Sequence, residues 1–239
     1  MSAETIQIGQ HRIVLARSSR RRTTSLEIIN GEIKLRCPQR AALKQLILFA
    51  QSKEAWLDKH LQFIGARPTA IPVEDGLELT LLEQTFTVRY DLTRTGAAEQ
   101  DSESREILIP LARCKHIDRA GERKLIALLK NRVTRHITER ATQLSSHMNL
   151  SVNSIQVKDY KRRWGSCDRK ANLTFNWRLI FAPLDIVDYV IVHELSHIKV
   201  FNHSRKFWQL VGRYYPDYTA AKHWFHANGA ELYRFARVD

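Results

Sequence analysis

Three residues in the C-terminal half of the chain have the types and spacing of a catalytic metal site. His193 and His197 are four positions apart, so on a helix both imidazoles lie on one face and can bind the same metal ion. Glu194 lies about 60° around the helix from His197, since a helix has about 3.6 residues per turn. From there its carboxylate reaches a water molecule at the metal more easily than the metal itself. This HExxH arrangement predicts a zinc-dependent hydrolase in which Glu194 is catalytic.

A third histidine completes the ligand set that catalytic zinc usually has, which is three protein ligands and one open position. His203 follows His197 by six residues, the spacing of the last histidine in the HExxHxxGxxH pattern. The glycine of that pattern is replaced here by Val200. We expect Asn202, which tolerates a left-handed backbone, to form the turn, and Ser204 to cap a helix that begins at Arg205.

Some roles at this predicted site stay open. Glu231, the only glutamate after Glu194, is the rival third ligand in place of His203. A hydrolase also needs a donor for the developing oxyanion, and Arg163, Tyr160 and Tyr189 are the candidates. Cys167 is a further possible zinc ligand, although a free thiol is the commoner role for such a cysteine.

The elements around the motif predict an α+β fold. Residues 184–200 are apolar on almost every side, which indicates a buried helix, and Pro183 precedes its first turn. The turn Trp164–Cys167 precedes this helix, and its glycine allows close approach of a ligand. The predicted elements are a hairpin over 26–35 around Asn30-Gly31, a helix over 41–64, a strand pair over 77–92, a loop over 95–104, a strand over 105–111, a helix over 121–148, strands over 154–160 and 172–180 joined by a loop over 161–171, and helices over 184–200 and 205–214.

A change in composition near residue 113 divides the chain into two predicted domains. Residues 1–113 read as a small β-rich α+β domain with 16 Lys and Arg against 14 Asp and Glu. Residues 114–239 carry the metal motif and 22 Lys and Arg against 11 Asp and Glu. This basic half favours an anionic partner or substrate, a nucleotide or nucleic acid included, although a solvated basic surface would give the same composition.

The bulk sequence limits the compartment and the class of protein. The first residues lack the basic start and apolar run of a signal peptide, and no apolar stretch approaches the roughly 18 residues of a membrane span. Three cysteines at wide spacings give neither a disulfide framework nor a metal knuckle. We therefore expect a cytoplasmic protein with no membrane partner.

The C-terminal half contains several short motifs, which are Arg163-Trp164-Gly165-Ser166-Cys167, Asn176-Trp177-Arg178-Leu179, Asp188-Tyr189-Val190, the HELSH segment, Asn202-His203-Ser204 and Phe207-Trp208. These motifs resemble the YgjP-like family of predicted zinc metallopeptidases, which looks related to SprT-like proteases. The resemblance runs over nearly the whole chain, and residues 160–229 carry its specific motifs. It implies a zincin-like C-terminal domain with His193, His197 and His203 as zinc ligands and Glu194 as the catalytic glutamate.

Three functions are compatible with these residues. A metallopeptidase that attacks peptide bonds with zinc-activated water is the leading hypothesis. Hydrolysis of nucleotides or other phosphoanhydrides is the second, because the same water can attack phosphorus and the basic half favours polyphosphates. A nucleic-acid-associated zinc protein is the third, although the sequence contains no recognised DNA-binding motif.

Overall fold

The chain divides into two compact units, Met1–Arg67 and Pro68–Asp239. The computed structural model describes residues 4–9, 11–29, 32–54, 57, 71–161 and 163–235. The boundary predicted between residues 113 and 114 falls inside the second unit. The physical reason is that the strands between residues 78 and 110 share one hydrophobic core with the helices after residue 113.

The first unit is a four-stranded sheet followed by a helix. Its strand order is β1-β2-β4-β3, in which β2 and β4 are parallel and the outer pairs are antiparallel. The predicted hairpin corresponds to β3 and β4, while its turn at Asn30-Gly31 lies outside the described residues. The helix predicted over 41–64 is α1 as far as it is described, because residues 55–56 and 58–70 also lie outside. The elements are β1 (Thr5–Ile8), β2 (His11–Ser18), β3 (Ser25–Ile29), β4 (Glu32–Pro38) and α1 (Leu43–Gln51).

The second unit begins with a sheet of the same strand order as the first. Its order is β5-β6-β8-β7, again with a parallel central pair between two antiparallel pairs. The strand pair predicted over 77–92 and the strand predicted over 105–111 are present, but β7 lies within the predicted loop over 95–104. The strand β7 was not predicted because it is a three-residue edge strand made only of polar residues. The strands are β5 (Glu78–Leu81), β6 (Gln84–Asp91), β7 (Glu99–Asp101) and β8 (Glu106–Pro110).

A second sheet of three strands follows in this unit. Its order is β10-β11-β9, with β11 antiparallel to β10 and parallel to β9. The strand β10 lies in the predicted loop over 161–171. The strand predicted over 172–180 ends early, because the Asn176 side chain accepts a hydrogen bond from the Arg178 backbone at 3.2 Å and starts a 3-10 helix, Trp177–Phe181. The strands are β9 (Ser154–Lys158), β10 (Gly165–Cys167) and β11 (Asn172–Asn176).

Four described α-helices complete the second unit. The longest, α2, buries a stripe of small and aliphatic residues spaced by four, as a helix of 3.6 residues per turn requires. It is tied to α3 by Arg140, whose guanidinium donates two 2.7 Å hydrogen bonds to the Asp188 carboxylate. Within the described ranges no helix is long and apolar enough to cross a membrane. The helices are α2 (Ile117–His147), α3 (Leu184–His197), α4 (Arg205–Tyr214) and α5 (Tyr218–Asn228).

Candidate metal centre

The end of α3 and the loop after it bring three imidazoles together. His193 and His197 lie in the last turns of α3, and His203 lies in the loop that joins α3 to α4. The loop turns without a left-handed Asn202, which is not among the described residues of positive φ. Ser204 stands at the N-cap of α4, but its side chain makes no capping hydrogen bond. The sequence therefore predicted where the new helix starts, but the turn is made differently.

The distances between the rings are those of a single cluster. One ring nitrogen from each of His193, His197 and His203 lies within 4.8 Å of the other two. The Nε2 atoms of His193 and His203 are 3.0 Å apart. Tetrahedral zinc with Zn–N distances near 2.0–2.1 Å separates two nitrogen ligands by about 3.3 Å, so this spacing suits one shared ion.

The other ring nitrogens show which atoms are left to bind a metal. His197 Nδ1 is 3.1 Å from the Val200 carbonyl oxygen, which can accept only from a protonated Nδ1 and so leaves the lone pair on Nε2. His193 Nδ1 is buried and has no hydrogen-bond partner. Burial, together with the nearby His197 and His203, lowers the pKa of His193 to about 3. His193 is therefore neutral near pH 7, the form in which imidazole binds a metal.

This donor set fits a divalent transition metal. Three neutral imidazoles form the ligand set that zinc has in catalytic sites with an open fourth position. Two ring nitrogens facing each other at 3.0 Å can share either the proton of one neutral tautomer or a bound cation. Three imidazole nitrogens within 4.8 Å of one another therefore fit a single divalent ion.

Glu194 is held in an environment that strongly affects its carboxyl group. Only 5% of the residue is exposed, and its side chain lies against Gly165 of β10. Burial raises the pKa of Glu194 to about 8, against an opposing effect of the positive charge of Arg163. A divalent cation nearby would favour the carboxylate form.

The strand β10 runs beside Glu194. A Cβ atom on Gly165 would lie 2.5 Å from Glu194 Oε1 and 2.6 Å from its Cγ, so only glycine leaves room for this side chain. Cys167, two residues further along β10, has a pKa raised to about 11 by burial and then by the charge of Glu194. Its thiol is therefore protonated near neutral pH, and the residue is not part of the histidine cluster.

Two aromatic side chains of α4 pack against the rings of the histidine cluster. Phe207 is fully buried, and its ring centroid lies 4.9 Å from that of His193, 4.5 Å from His197 and 4.8 Å from His203. Trp208 stacks on His203 at 5.7 Å with an interplanar angle of 28°. These contacts fix the orientation of the rings, because each imidazole is packed against carbon on one side.

The structure separates the remaining candidates. Glu231 is exposed in a short 3-10 helix, is bonded to Arg234 at 2.8 Å and is not grouped with the histidines. Tyr189 packs against the His193 ring at 5.9 Å. Tyr160 pairs its hydroxyl with Ser166 at 3.0 Å. Of the candidate oxyanion donors, Tyr189 therefore contacts a ring of the histidine cluster, and Tyr160 contacts β10. The rival ligand Glu231 is not part of the cluster.

Sequence reasoning missed two features of this site. The contact of Gly165 with Glu194 joins residues 29 positions apart, and the only signal was a glycine in a motif placed near the helix. Phe207 and Trp208 follow His203 by four and five residues and lie on the next helix. Helical spacing gave no signal for their contact with His203, because His203 lies in the loop before that helix.

Comparison with known proteins identifies the class of protein to which this chain belongs. A family model described as YgjP-like, metallopeptidase domain, matches residues 22–228. The match covers most of the chain and includes the histidine cluster and Glu194. The chain belongs to the YgjP-like family of metallopeptidase-domain proteins. No curated protein is significantly similar to it.

Two solved structures show partial similarity. One is the metallopeptidase zymogen jannalysin of Methanocaldococcus jannaschii, with 23% identity over 36% of this chain and 90% of that chain, and a TM-score of 0.33. The other is the metallopeptidase zymogen abylysin of Pyrococcus abyssi, with 18% identity over 42% of this chain and 99% of that chain, and a TM-score of 0.36.

Proposed function

We propose that this protein is a zinc-dependent peptidase with a zincin-like second unit. The observation that carries the proposal is the convergence of His193, His197 and His203 within 4.8 Å, with the buried Glu194 following His193 on the same helix. The match to a metallopeptidase domain over residues 22–228 supports peptide bonds as the target. His193, His197 and His203 are the proposed zinc ligands, and Glu194 is the proposed catalytic residue.

Each residue of the site has a distinct proposed role. Zinc, when bound, supplies a Lewis acid that lowers the pKa of water and polarises a carbonyl oxygen. Glu194 accepts the proton of the attacking water at a carboxylate oxygen and later delivers it to the leaving nitrogen of the cleaved peptide bond. Gly165 leaves the space in which that carboxylate lies, and Phe207 excludes water from the side of the imidazoles that faces the core.

Zinc stoichiometry and peptide cleavage together test the proposal. We expect the purified protein to bind one zinc ion per chain and to cleave casein or mixed peptides in a reaction that a chelator stops and zinc restores. Glu194→Gln should keep the zinc and lose about 10²–10⁴-fold in rate, the usual contribution of a general acid–base group. Glu231→Gln is the matched control, and we expect wild-type zinc content and rate for it.

The same preparation should be tested on a panel of nucleoside triphosphates. Chelator-sensitive release of phosphate or pyrophosphate without peptide cleavage would replace the peptidase by the phosphoanhydride hydrolase predicted as the alternative. Salt-dependent binding of DNA with no hydrolysis of either substrate would instead favour a nucleic-acid-associated zinc protein. A protein that binds no zinc would contradict all three.

A further inference from the structure

A polar cavity of about 500 Å³ opens on one face of the three-stranded sheet. Side chains alternate between the two faces of a strand, and one face of this sheet packs into the core. The opposite face contributes Ser154 and Gln156 from β9, Thr174 from β11 and Ser166 from β10 to the cavity. This face offers hydroxyl and amide groups, which suit a polar ligand more than an apolar one. We call this polar cavity the sheet cavity.

The charges around the sheet cavity favour an anion. Lys158 and Arg163 line it, and neither takes part in an ion pair among the residues that the structure describes. Asp168 is the one acid of the lining, and its carboxylate already accepts hydrogen bonds from the backbone of Lys170 at 2.8 Å and from the backbone and side chain of Asn172 at 3.0 and 2.8 Å. The sheet cavity therefore has two cationic side chains that can bind an anion, whereas its one carboxylate is already hydrogen-bonded within the protein.

The sheet cavity borders the proposed catalytic residue. Arg163 and Ser166 line it, and Gly165 between them contacts the Glu194 side chain. The positive charge of Arg163 also acts on the Glu194 carboxyl group. Asn176 pairs in register with Lys158 and donates a hydrogen bond to the backbone carbonyl of Arg163 at 3.1 Å, so the two cationic residues are neighbours in the fold. A group bound between them would lie beside β10, the strand whose Gly165 borders Glu194.

We propose that the sheet cavity binds a carboxylate of the substrate, between Lys158 and Arg163, and so selects acidic peptides. The inference rests on the proposed peptidase function and adds the substrate class. Two sources supply a carboxylate: the side chain of Asp or Glu near the cleaved bond, or the free C-terminus of a short peptide. The neutral polar groups of Gln156 and Thr174 complete the hydrogen bonds that the carboxylate loses when it leaves water.

Internally quenched peptides provide the direct test. A single Glu, Gln or Lys is placed in turn at each position of one peptide, and the C-terminus is either free or amidated. We expect the best Glu peptide to be cleaved about fivefold faster than its Gln partner, since an exposed ion pair contributes up to about 1 kcal/mol. A preference for the free over the amidated C-terminus, without a Glu preference, would assign the terminal carboxylate as the ligand.

Variants of Lys158 localise this preference. Lys158→Gln should reduce the Glu-to-Gln ratio towards one, and Lys158→Glu should reverse it in favour of the Lys peptide. Lys170→Gln is the matched control, because it removes the same charge beside β10 but does not line the cavity. Zinc content and melting temperature should be unchanged in all three, and an equal ratio in wild type and Lys158→Glu would overturn the inference.

A binding measurement separates this inference from the proposed function. The Glu194→Gln protein, loaded with zinc, is titrated with the fluorescent Glu, Gln and Lys peptides, and anisotropy gives their affinities. Charge-selective binding that depends on Lys158, without cleavage by the wild type, would remove the peptidase and retain the carboxylate site. Cleavage with no dependence on charge in either assay would retain the peptidase and remove the site.

Discussion

Burial sets the protonation state of the residues around the metal centre. It lowers the pKa of His193 to about 3, so the ring stays neutral. It raises the pKa of Glu194 to about 8 and that of Cys167 to about 11, so without a cation neither group is readily ionised. A divalent ion among the imidazoles supplies the positive charge that makes the Glu194 carboxylate stable in this environment. We therefore expect binding of the divalent ion and ionisation of Glu194 to favour each other.

Gly165→Ala tests whether the space beside β10 positions Glu194. The added methyl group would lie 2.5–2.8 Å from three atoms of a side chain that is almost fully buried, so the carboxylate must move. Misplacement by about 1 Å can cost 10²-fold, and we expect at least a tenfold loss of kcat with zinc content unchanged. Because the φ angle of Gly165 is not in the left-handed region, backbone strain does not explain such a loss.

The control and the double variant keep this prediction specific. Gly212→Ala places the same methyl group 3.3 Å from the Tyr218 ring, a tight contact that a shift of a few tenths of an ångström relieves, and should leave kcat nearly unchanged. Glu194→Asp shortens the side chain that the methyl group displaces, so its cost should be smaller in the Gly165→Ala protein than in the wild type. Strictly additive losses would show that Gly165 and Glu194 do not act through their contact.

His203→Ala tests the choice of the third ligand. His203 Nε2 lies 3.0 Å from His193 Nε2, whereas Glu231 is bonded to Arg234 away from the cluster. We expect His203→Ala to weaken zinc binding by more than the roughly 10–100-fold that loss of a ligand's hydrogen-bond partner costs. Glu231→Ala should bind zinc as the wild type does. Competition with a chromogenic chelator measures both, and the reverse pattern would restore Glu231 as the ligand.

The site residues differ in how far the sequence reveals them. The clustering of His193, His197 and His203 is predictable, because one helix fixes the spacing of the first two and the loop to the third is short. Gly165 and Phe207 are not, because their contacts with the site depend on how β10 and α4 pack against α3. Spacing along the sequence predicts which residues are neighbours within one helix or strand, but it does not predict contacts between separate elements.

At the level of elements, long periodic segments are predictable and short edge strands are not. The helix α4 matches its predicted range, 205–214, and α2 begins four residues before its predicted range and ends one residue before the end of it. In contrast, β7 and β10 have three residues each and no alternation of apolar and polar side chains. Such strands exist because a neighbouring strand offers hydrogen bonds, β11 for β10 and β8 for β7.

Phe207→Ala tests the role of α4 as a support for the imidazoles. Removing a fully buried ring costs about 3–5 kcal/mol of stability, and here the cavity would open beneath all three histidines. We expect weaker zinc binding as well as a lower melting temperature. Phe207→Leu, which keeps most of the volume, should recover both in large part.

Val211→Ala is the matched control for the Phe207 variant. Val211 is fully buried on the same helix, four residues after Phe207 and eight after His203. Its substitution should lower stability without changing zinc affinity. If Phe207→Ala also left zinc affinity unchanged while destabilising the fold, α4 would be a structural support only and would not orient the ligands.

At the level of the whole molecule, composition misplaced the boundary between the two units. The charge of the chain changes near residue 113, but charge describes the surface, whereas a compact unit is defined by a shared core. Phe86, Val88, Ile107 and Ile109 are fully buried in the cluster that also contains Leu125 of α2. The strand order β5-β6-β8-β7 repeats that of the first unit, yet this sheet shares its core with the helix that carries His193 and His197.

Two fragments therefore have opposite expected behaviour. Residues 68–239 keep the complete second core and the whole histidine cluster, so this fragment should unfold in one cooperative transition and bind zinc within about threefold of the full chain. Residues 114–239 lose β5–β8 and expose the apolar stripe of α2, so this fragment should aggregate or unfold without a cooperative transition. Urea unfolding followed by circular dichroism, with zinc titrations of the full chain and both fragments, measures the difference. A cooperative, zinc-binding 114–239 fragment would show that the first sheet of the second unit is dispensable and would return the boundary to residue 113.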